Sequence, residues 1–551
     1  MILYCPICSI FDKSISMKKC LLPLLVAFST SFYAQSELVF VFFKDKPNKA
    51  SFYSNPLSEL SQKALDRREN LNIALNDQDA PIEQTYVQNI RNLGFTVSDM
   101  SKWLNGVAVN ATEAQIQQLA QLDFVQNVET FVKNPDGGKR STPSQKFAAF
   151  ENHKTEFNYG EANQQTTQIN LKPLHEAGYT GNAVTIAMLD TGYPNVNSGN
   201  AFARLRNNGK IKGGYNFINK NTDLYNSSFN AHGTICLGSI VGYLDNQFVG
   251  SGPDVDVYLY VTESGPLELP EEELYWIQAA EEADRVGVDI ISASLGYTDG
   301  FDDSRYDYKY EHMTGSRSFV ARGAQVAAEK GILVFVANGN EGSSNWHYLG
   351  TPADNAKVFS VGAVSANGNP SSFTSYGPNY LGVIKPDAAA KGTNAATVLN
   401  NSVTYASGTS IATPIAAGAA ASFLQFLPKT KSRDEIKDLM RNTASLAPSH
   451  NDRLGFGILN FGQAYSTYLA TSNASTNSLI SLYPNPSSGQ FNIKSEVSGS
   501  YEIFDFVGRK LLENSFSKGV TEVALQLSKG NYVMQFKTKN GKTESKKITI
   551  K

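Results

Sequence analysis

Between residues 171 and 469 the apolar runs AVTIAML, VDVYLYV, VDIISASL, GILVFVAN and VFSVGAV recur, with helical stretches such as EEELYWIQAAEEADRVG between them. A strand buried on both faces need not alternate polar with apolar residues, and such runs belong to parallel sheets covered by helices. The pattern predicts an α/β domain: a doubly wound, mainly parallel sheet with right-handed crossovers. A length of 551 residues leaves room for further units on either side. The formal net charge of −3 offers no basic surface and gives no support for a nucleic-acid partner.

The flanks read differently. Met17-Lys18-Lys19-Cys20 precedes LLPLLVAF and a small residue at Ala34, which reads as a secretory signal over 1–34 with Met17 as the expected start. No later segment is apolar and long enough for a transmembrane helix. Residues 36–133 open with LVFVFF and continue through a polar helical stretch to WLNGVAVN. A capping-box pattern at Thr112–Gln115 and a closing VQNVETF follow, so this unit reads as a small α+β domain. From 134 to 170 the Gly, Pro, Ser and Gln content is that of a linker. After TSNASTNS, residues 479–551 form short alternating strands, a small all-β module. Of the four cysteines, Cys5, Cys8 and Cys20 fall in the segment expected to be removed, which leaves Cys236 as the one thiol of the mature chain.

Three stretches in the central region carry chemistry. AMLDTG puts Asp190 just past an apolar strand, where sites form in open α/β sheets. NAHGTICLGSI puts His232 at the start of a helical run. YASGTSIATPIAAG puts Ser410 at the mouth of another, with Pro414 expected in that helix's first turn. Each alone has an ordinary explanation: a helix cap, a structural histidine, an N-capped buried helix. Asp, His and Ser in that order, each in a Gly-rich turn, is the chain order of subtilisin.

DTG, HGT and GTSIATP resemble the signature motifs of the subtilisin-like serine peptidases. VDIISASLG, VANGNEG, VIKPDAAAKG and GFGILN are similar to further segments of that family, so the resemblance covers most of 171–469. It implies a serine endopeptidase in which Ser410 attacks the scissile carbonyl, His232 relays the proton and Asp190 fixes the imidazole tautomer. It also implies an oxyanion donor at Asn340 and a substrate-pairing segment at Ser294-Leu295-Gly296. Gly350 in LGTPAD matches the base of the family's S1 pocket and implies an open, apolar pocket. Asn338, where the family usually carries Ala, departs from that pattern.

Cys236 lies one helical turn after His232, which makes it either a buried core thiol or a thiol close enough to the site for mercurials to inhibit. His175-Glu176 does not begin a helical H-E-x-x-H motif, because residue 179 is Tyr, and no G-x-S-x-G occurs. No metal site and no required cofactor is identified; calcium is common among relatives, but no liganding loop is located. The 36–133 unit resembles the inhibitory prodomain of secreted subtilases, with cleavage expected between 134 and 170. LYPNP, YEIFDFVGR and GNYVMQFKTKNGKTESKKITI resemble the type A sorting domain of the type IX secretion system. The implied partners are protein or peptide substrates, the chain's own prodomain and the secretion machinery. The implied destination is the outside or outer surface of the cell, by way of the periplasm. A non-catalytic surface protein on the same scaffold and a processing peptidase with one target stand as alternatives.

Overall fold

The computed structural model describes residues 35–140, 159–472, 480–505, 509–539, 541 and 543–551. The expected signal segment and residues 141–158 of the expected linker lie outside them. The N-terminal unit is an antiparallel sheet of β1 (Glu37–Phe43), β2 (Val97–Ser101), β3 (Gly106–Ala111) and β4 (Val125–Thr130), in the order β2-β3-β1-β4. The run LVFVFF is the inner strand β1, and its two faces go to different cores. Val39, Val41 and Phe43 pack within their own unit, whereas Leu38 and Phe40 pack with helices beneath the main sheet. That double burial explains why the run shows no alternation. Two details differ from the sequence reading. Trp103–Asn105 form a turn, with Asn105 at φ 54°, so the strand starts at Gly106. β2, whose VSDMS is mostly polar, was not foreseen. The capping pattern is realised: Gln115 Oε1 accepts from the Thr112 N–H at 2.9 Å.

The main sheet contains β5 (Thr185–Asp190), β6 (Ile211–Asn216), β7 (Asp256–Val261), β8 (Ile290–Ala293), β9 (Leu333–Ala337), β10 (Phe359–Val364) and β11 (Ala388–Lys391). Their order is β11-β10-β9-β8-β5-β7-β6, and every neighbouring pair is parallel. The chain leaves β5 toward one edge and β8 toward the other, so the winding switches between these two strands. Crevices at such switch points, outside the carboxyl ends of the strands, hold the ligands of open α/β sheets. The ends of β5 and β8 here carry Asp190 and Ser294-Leu295-Gly296.

The long helix Thr409–Phe426 packs against β8 to β11 and against helix His232–Val241. Its residues 409–423 are all buried and mostly Ala, Gly, Ile and Thr. A Cβ on Gly418 would lie 2.2 Å from Ser251 Oγ, so only small residues allow this depth of packing.

The N-terminal sheet sits on helices Glu271–Val286 and Phe319–Glu329. Phe131 stacks on Phe319 with ring centroids 3.9 Å apart, and Arg322 pairs with Glu129 at 3.0 Å. Arg68 bonds both Asp79 and Asp284 at 2.7 Å, Arg67 bonds Asp284, and Lys330 reaches Asp79 at 3.1 Å; all of these groups are buried. Glu281 accepts from Ser101 Oγ at 2.5 Å and from the Trp103 N–H at 3.0 Å.

At the C-terminus two antiparallel sheets, of three and four strands, share a core that includes Ile480, Ile493, Ile503, Met534 and Phe536. Among the described residues no helix is long and apolar enough to cross a membrane.

Candidate active site

Asp190 ends β5 and is fully buried. Its Oδ1 accepts from His232 Nδ1 at 2.7 Å and from the Thr191 N–H at 2.8 Å. A carboxylate only accepts, so the ring proton sits on Nδ1 and Nε2 becomes the basic nitrogen. His232 opens its helix, where Asn230 Oδ1 accepts the His232 N–H at 2.9 Å. The glycine of H-G-T sets the approach: a Cβ on Gly233 would lie 2.3 Å from Gly192 O and 3.0 Å from Asp190 Cβ. Without it the helix could not press its imidazole onto the carboxylate.

Ser410 is the second residue of its helix and is 8% exposed. The preceding glycine has a steric reason too, since a Cβ on Gly408 would lie 2.7 Å from Ser410 Oγ. Pro414 is the sixth residue of the helix, not part of its first turn as the sequence reading had it. Having no N–H, it cannot bond the carbonyl four residues back, which is that of Ser410. The orphaned oxygen is taken up by two other donors, Ser294 Oγ at 2.7 Å and Cys236 Sγ at 3.3 Å. Two residues singled out for other reasons thus hold the helix at the turn that carries the candidate nucleophile.

Cys236 combines the two alternatives weighed for it. It is wholly buried, and its sulfur lies 3.7 Å from His232 Nδ1 and 3.8 Å from Nε2. Burial pushes this thiol well above its ordinary pKa, so it stays protonated. Cys236 thus touches both His232 and Ser410.

Asn340 follows β9 in a Gly-Asn-Glu turn. Its Oδ1 accepts from the Thr409 N–H at 2.8 Å and from the Thr409 hydroxyl at 3.0 Å. Because a backbone N–H must donate, the amide is fixed, with Nδ2 turned to the cleft. That nitrogen and Ser410 Oγ flank the same point beside Gly408, at 3.8 and 2.7 Å.

Beside them opens a cavity of about 250 Å³ lined by Ser294, Leu295, Gly296, Asn340, Gly350 and Thr409, among others. All the residues expected to bind substrate therefore share one cavity. The expectation of an apolar pocket is corrected: Glu263, Glu268, Asp299 and Glu341 also line it. Asn338 does not. It is buried, and its Nδ2 donates to Ser375 O at 2.8 Å. The signal for the acidic lining was present in the sequence. Glu263 follows an apolar strand just as Asp190 does, and Glu341 lies within the quoted VANGNEG.

Fold and site together define an α/β protein whose chemistry gathers at a topological switch point. Residues 181–463 match the Subtilase family, peptidase S8, and the chain belongs to that family. Residues 38–147 match the Peptidase S8 propeptide domain of Bacteroidota. Residues 481–551 match the secretion system C-terminal sorting domain, which assigns the protein to secretion or the outer surface. Serine protease AprX of Bacillus subtilis is 32% identical over 294 residues, 48% of this chain and 61% of that protein. Alkaline elastase YaB of a Bacillus species is 31% identical over 51% of this chain and 65% of its own length. Subtilisin DY of Bacillus licheniformis is 31% identical over 50% of this chain and 89% of its own. The chain thus spans about three fifths of the first and two thirds of the second. In fold it resembles the epidermin leader peptide processing serine protease of Staphylococcus aureus, with a TM-score of 0.52 over 78% of this chain and 99% of that one, at 18% identity.

Proposed function

We propose that the chain is a secreted serine endopeptidase, made as a self-inhibited precursor, that cleaves peptide bonds through an acyl-enzyme. The 2.7 Å bond between Asp190 and His232, in the crevice that Ser410 and Asn340 share, carries this reading. His232 Nε2 takes the Ser410 proton as Oγ adds to the scissile carbonyl, and the carboxylate of Asp190 stabilises the imidazolium that forms. The oxyanion is met by the Ser410 N–H, one of the unpaired donors of a helix start, and by Asn340 Nδ2. Collapse of the adduct expels the amine with the proton from His232. Water, deprotonated by the same ring, then releases the acyl group. No cofactor enters any of these steps.

The substrate backbone would pair with Ser294-Leu295-Gly296 as an added strand, a mode in which main-chain hydrogen bonds supply affinity. Residues 36–133 act as the inhibitor, removed by cleavage in the stretch that follows them. The test is the purified mature protein on unfolded casein, with and without a serine-directed inhibitor. Inhibitor-sensitive cleavage is expected; a protein that leaves casein intact and is not labelled at Ser410 would be the non-catalytic alternative.

A further inference from the structure

We propose that the cavity beside Ser410 selects a lysine or arginine side chain at the residue whose carbonyl is attacked, a reading that rests on the peptidase function above. The cavity's position already assigns it to a substrate side chain, independently of its charge. It opens between Ser294-Leu295-Gly296 and Asn340 and reaches Thr409, the neighbour of Ser410.

Its chemistry points to a cation. Four carboxylate residues line it, and no Lys, Arg or His does so among the described residues. Two of the carboxylates accept from hydroxyl groups, and the loop of a third is anchored. Glu263 accepts from the Tyr297 hydroxyl at 2.8 Å, and Glu341 from Ser375 Oγ at 2.8 Å. Glu268 is carried on a short loop tied down at both ends by Glu272, which accepts from the N–H groups of Ser264 at 2.6 Å and Leu269 at 3.0 Å. One ligand atom each of Glu263, Glu268 and Glu272 lies within 4.8 Å of the others, a spacing that suits a bridging cation. Burial raises the pKa of Glu341, the response of a carboxyl held away from water.

Arg140, just after the N-terminal unit, donates to the backbone carbonyl of Asp299 at 2.9 Å, so a guanidinium already reaches one residue of the lining.

The test uses the mature enzyme on tetrapeptide substrates that differ only at the residue before the cut: Arg, Lys, Phe, Leu or Glu. Preference for Arg and Lys over Phe and Leu is expected on the order of 10²-fold in kcat/KM. Glu268→Gln and Asp299→Asn should each shrink the Arg-to-Leu ratio about tenfold, read mainly in KM. Sequencing the N-terminus of the self-processed protein gives a second readout. Cleavage after Lys139, Arg140, Lys146 or Lys154 agrees with the proposal; cleavage after Phe147 or Phe150 contradicts it. An enzyme labelled at Ser410 that prefers Phe or Leu overturns the pocket assignment and leaves the peptidase intact. Neither labelling nor cleavage of any substrate overturns both. The assay is run in chelator and in millimolar calcium: a basic preference in both agrees, and one abolished by calcium makes the acidic cluster a metal site instead.

Discussion

Two seams in this molecule are built from opposite materials. Where helix Thr409–Phe426 meets the main sheet, the contact is Ala, Gly and Ile, wholly buried and without an ion pair along its first fifteen residues. Where the N-terminal sheet meets helices Glu271–Val286 and Phe319–Glu329, stacked aromatics are joined by Arg67, Arg68, Asp79, Asp284 and Lys330. Small apolar residues permit a close and permanent fit. Buried charges are costly unless paired, and hold only while both partners stay. The first seam suits a rigid scaffold. The second suits a partner that docks specifically.

Ser410→Ala attacks the first seam's purpose with the largest effect. Loss of one triad member in a relative of this type costs about 10⁶-fold in kcat, and the variant should accumulate as a precursor that keeps residues 36–133. An intact precursor band on a gel supports self-processing; normal maturation assigns the cut to another peptidase. Asn340→Ala comes next, removing one oxyanion donor for about 10²–10³-fold in kcat with KM nearly unchanged. An equal loss in KM would make Asn340 a ground-state contact.

Asp284→Ala tests the second seam. It leaves Arg67 and Arg68 buried without their shared partner, a defect worth about 3–5 kcal/mol. The N-terminal unit supplied in trans should then inhibit the mature enzyme at least about 10²-fold more weakly. Unchanged inhibition would mean that the aromatic contacts alone hold the complex.

The smallest expected effect is on pH. Burial against the N-terminal unit raises the Glu281 carboxyl, against the pull of Lys102 and the hydrogen bonds from Ser101 and Trp103. A carboxyl whose pKa is higher in the docked state favours docking when protonated. That contribution is complete below the ordinary carboxylate range and is lost as pH rises through the raised value. The N-terminal unit should therefore dissociate several-fold more readily near pH 8 than near pH 5 in a binding titration, and the reverse trend would place the controlling groups elsewhere.

The same contrast marks what the sequence disclosed. Strands buried on both faces were readable because continuous apolar runs have few other uses: β7, β8, β9 and β10 fall within them, and β5 runs one residue past its run to Asp190. The strands at the two edges, β6 with IKGGYN and β11 with AAAK, carry little β signal. They are strands because their neighbours supply hydrogen bonds, and β11 also packs against helix Thr409–Phe426. In the site, Asp190, His232, Ser410 and Asn340 were legible from short Gly-flanked motifs, since each glycine marks a close approach. The acidic pocket was not legible as a whole: Glu263 and Glu341 stand at readable positions, but the lining gathers from three loops, one carrying both Glu263 and Glu268, that meet only after folding. Nor was the role of Ser294 and Cys236 as donors to the Ser410 carbonyl, which depends on where Pro414 falls in the helix.

The account stands on Ser410 being an activated nucleophile. The most direct measurement is treatment of the folded mature protein with a fluorophosphonate probe, followed by peptide mapping, for the native chain and for Asp190→Asn. The account predicts stoichiometric label on Ser410 in the native protein and labelling slower by several orders of magnitude in the variant. Label on another residue, or equal rates in both proteins, would contradict it.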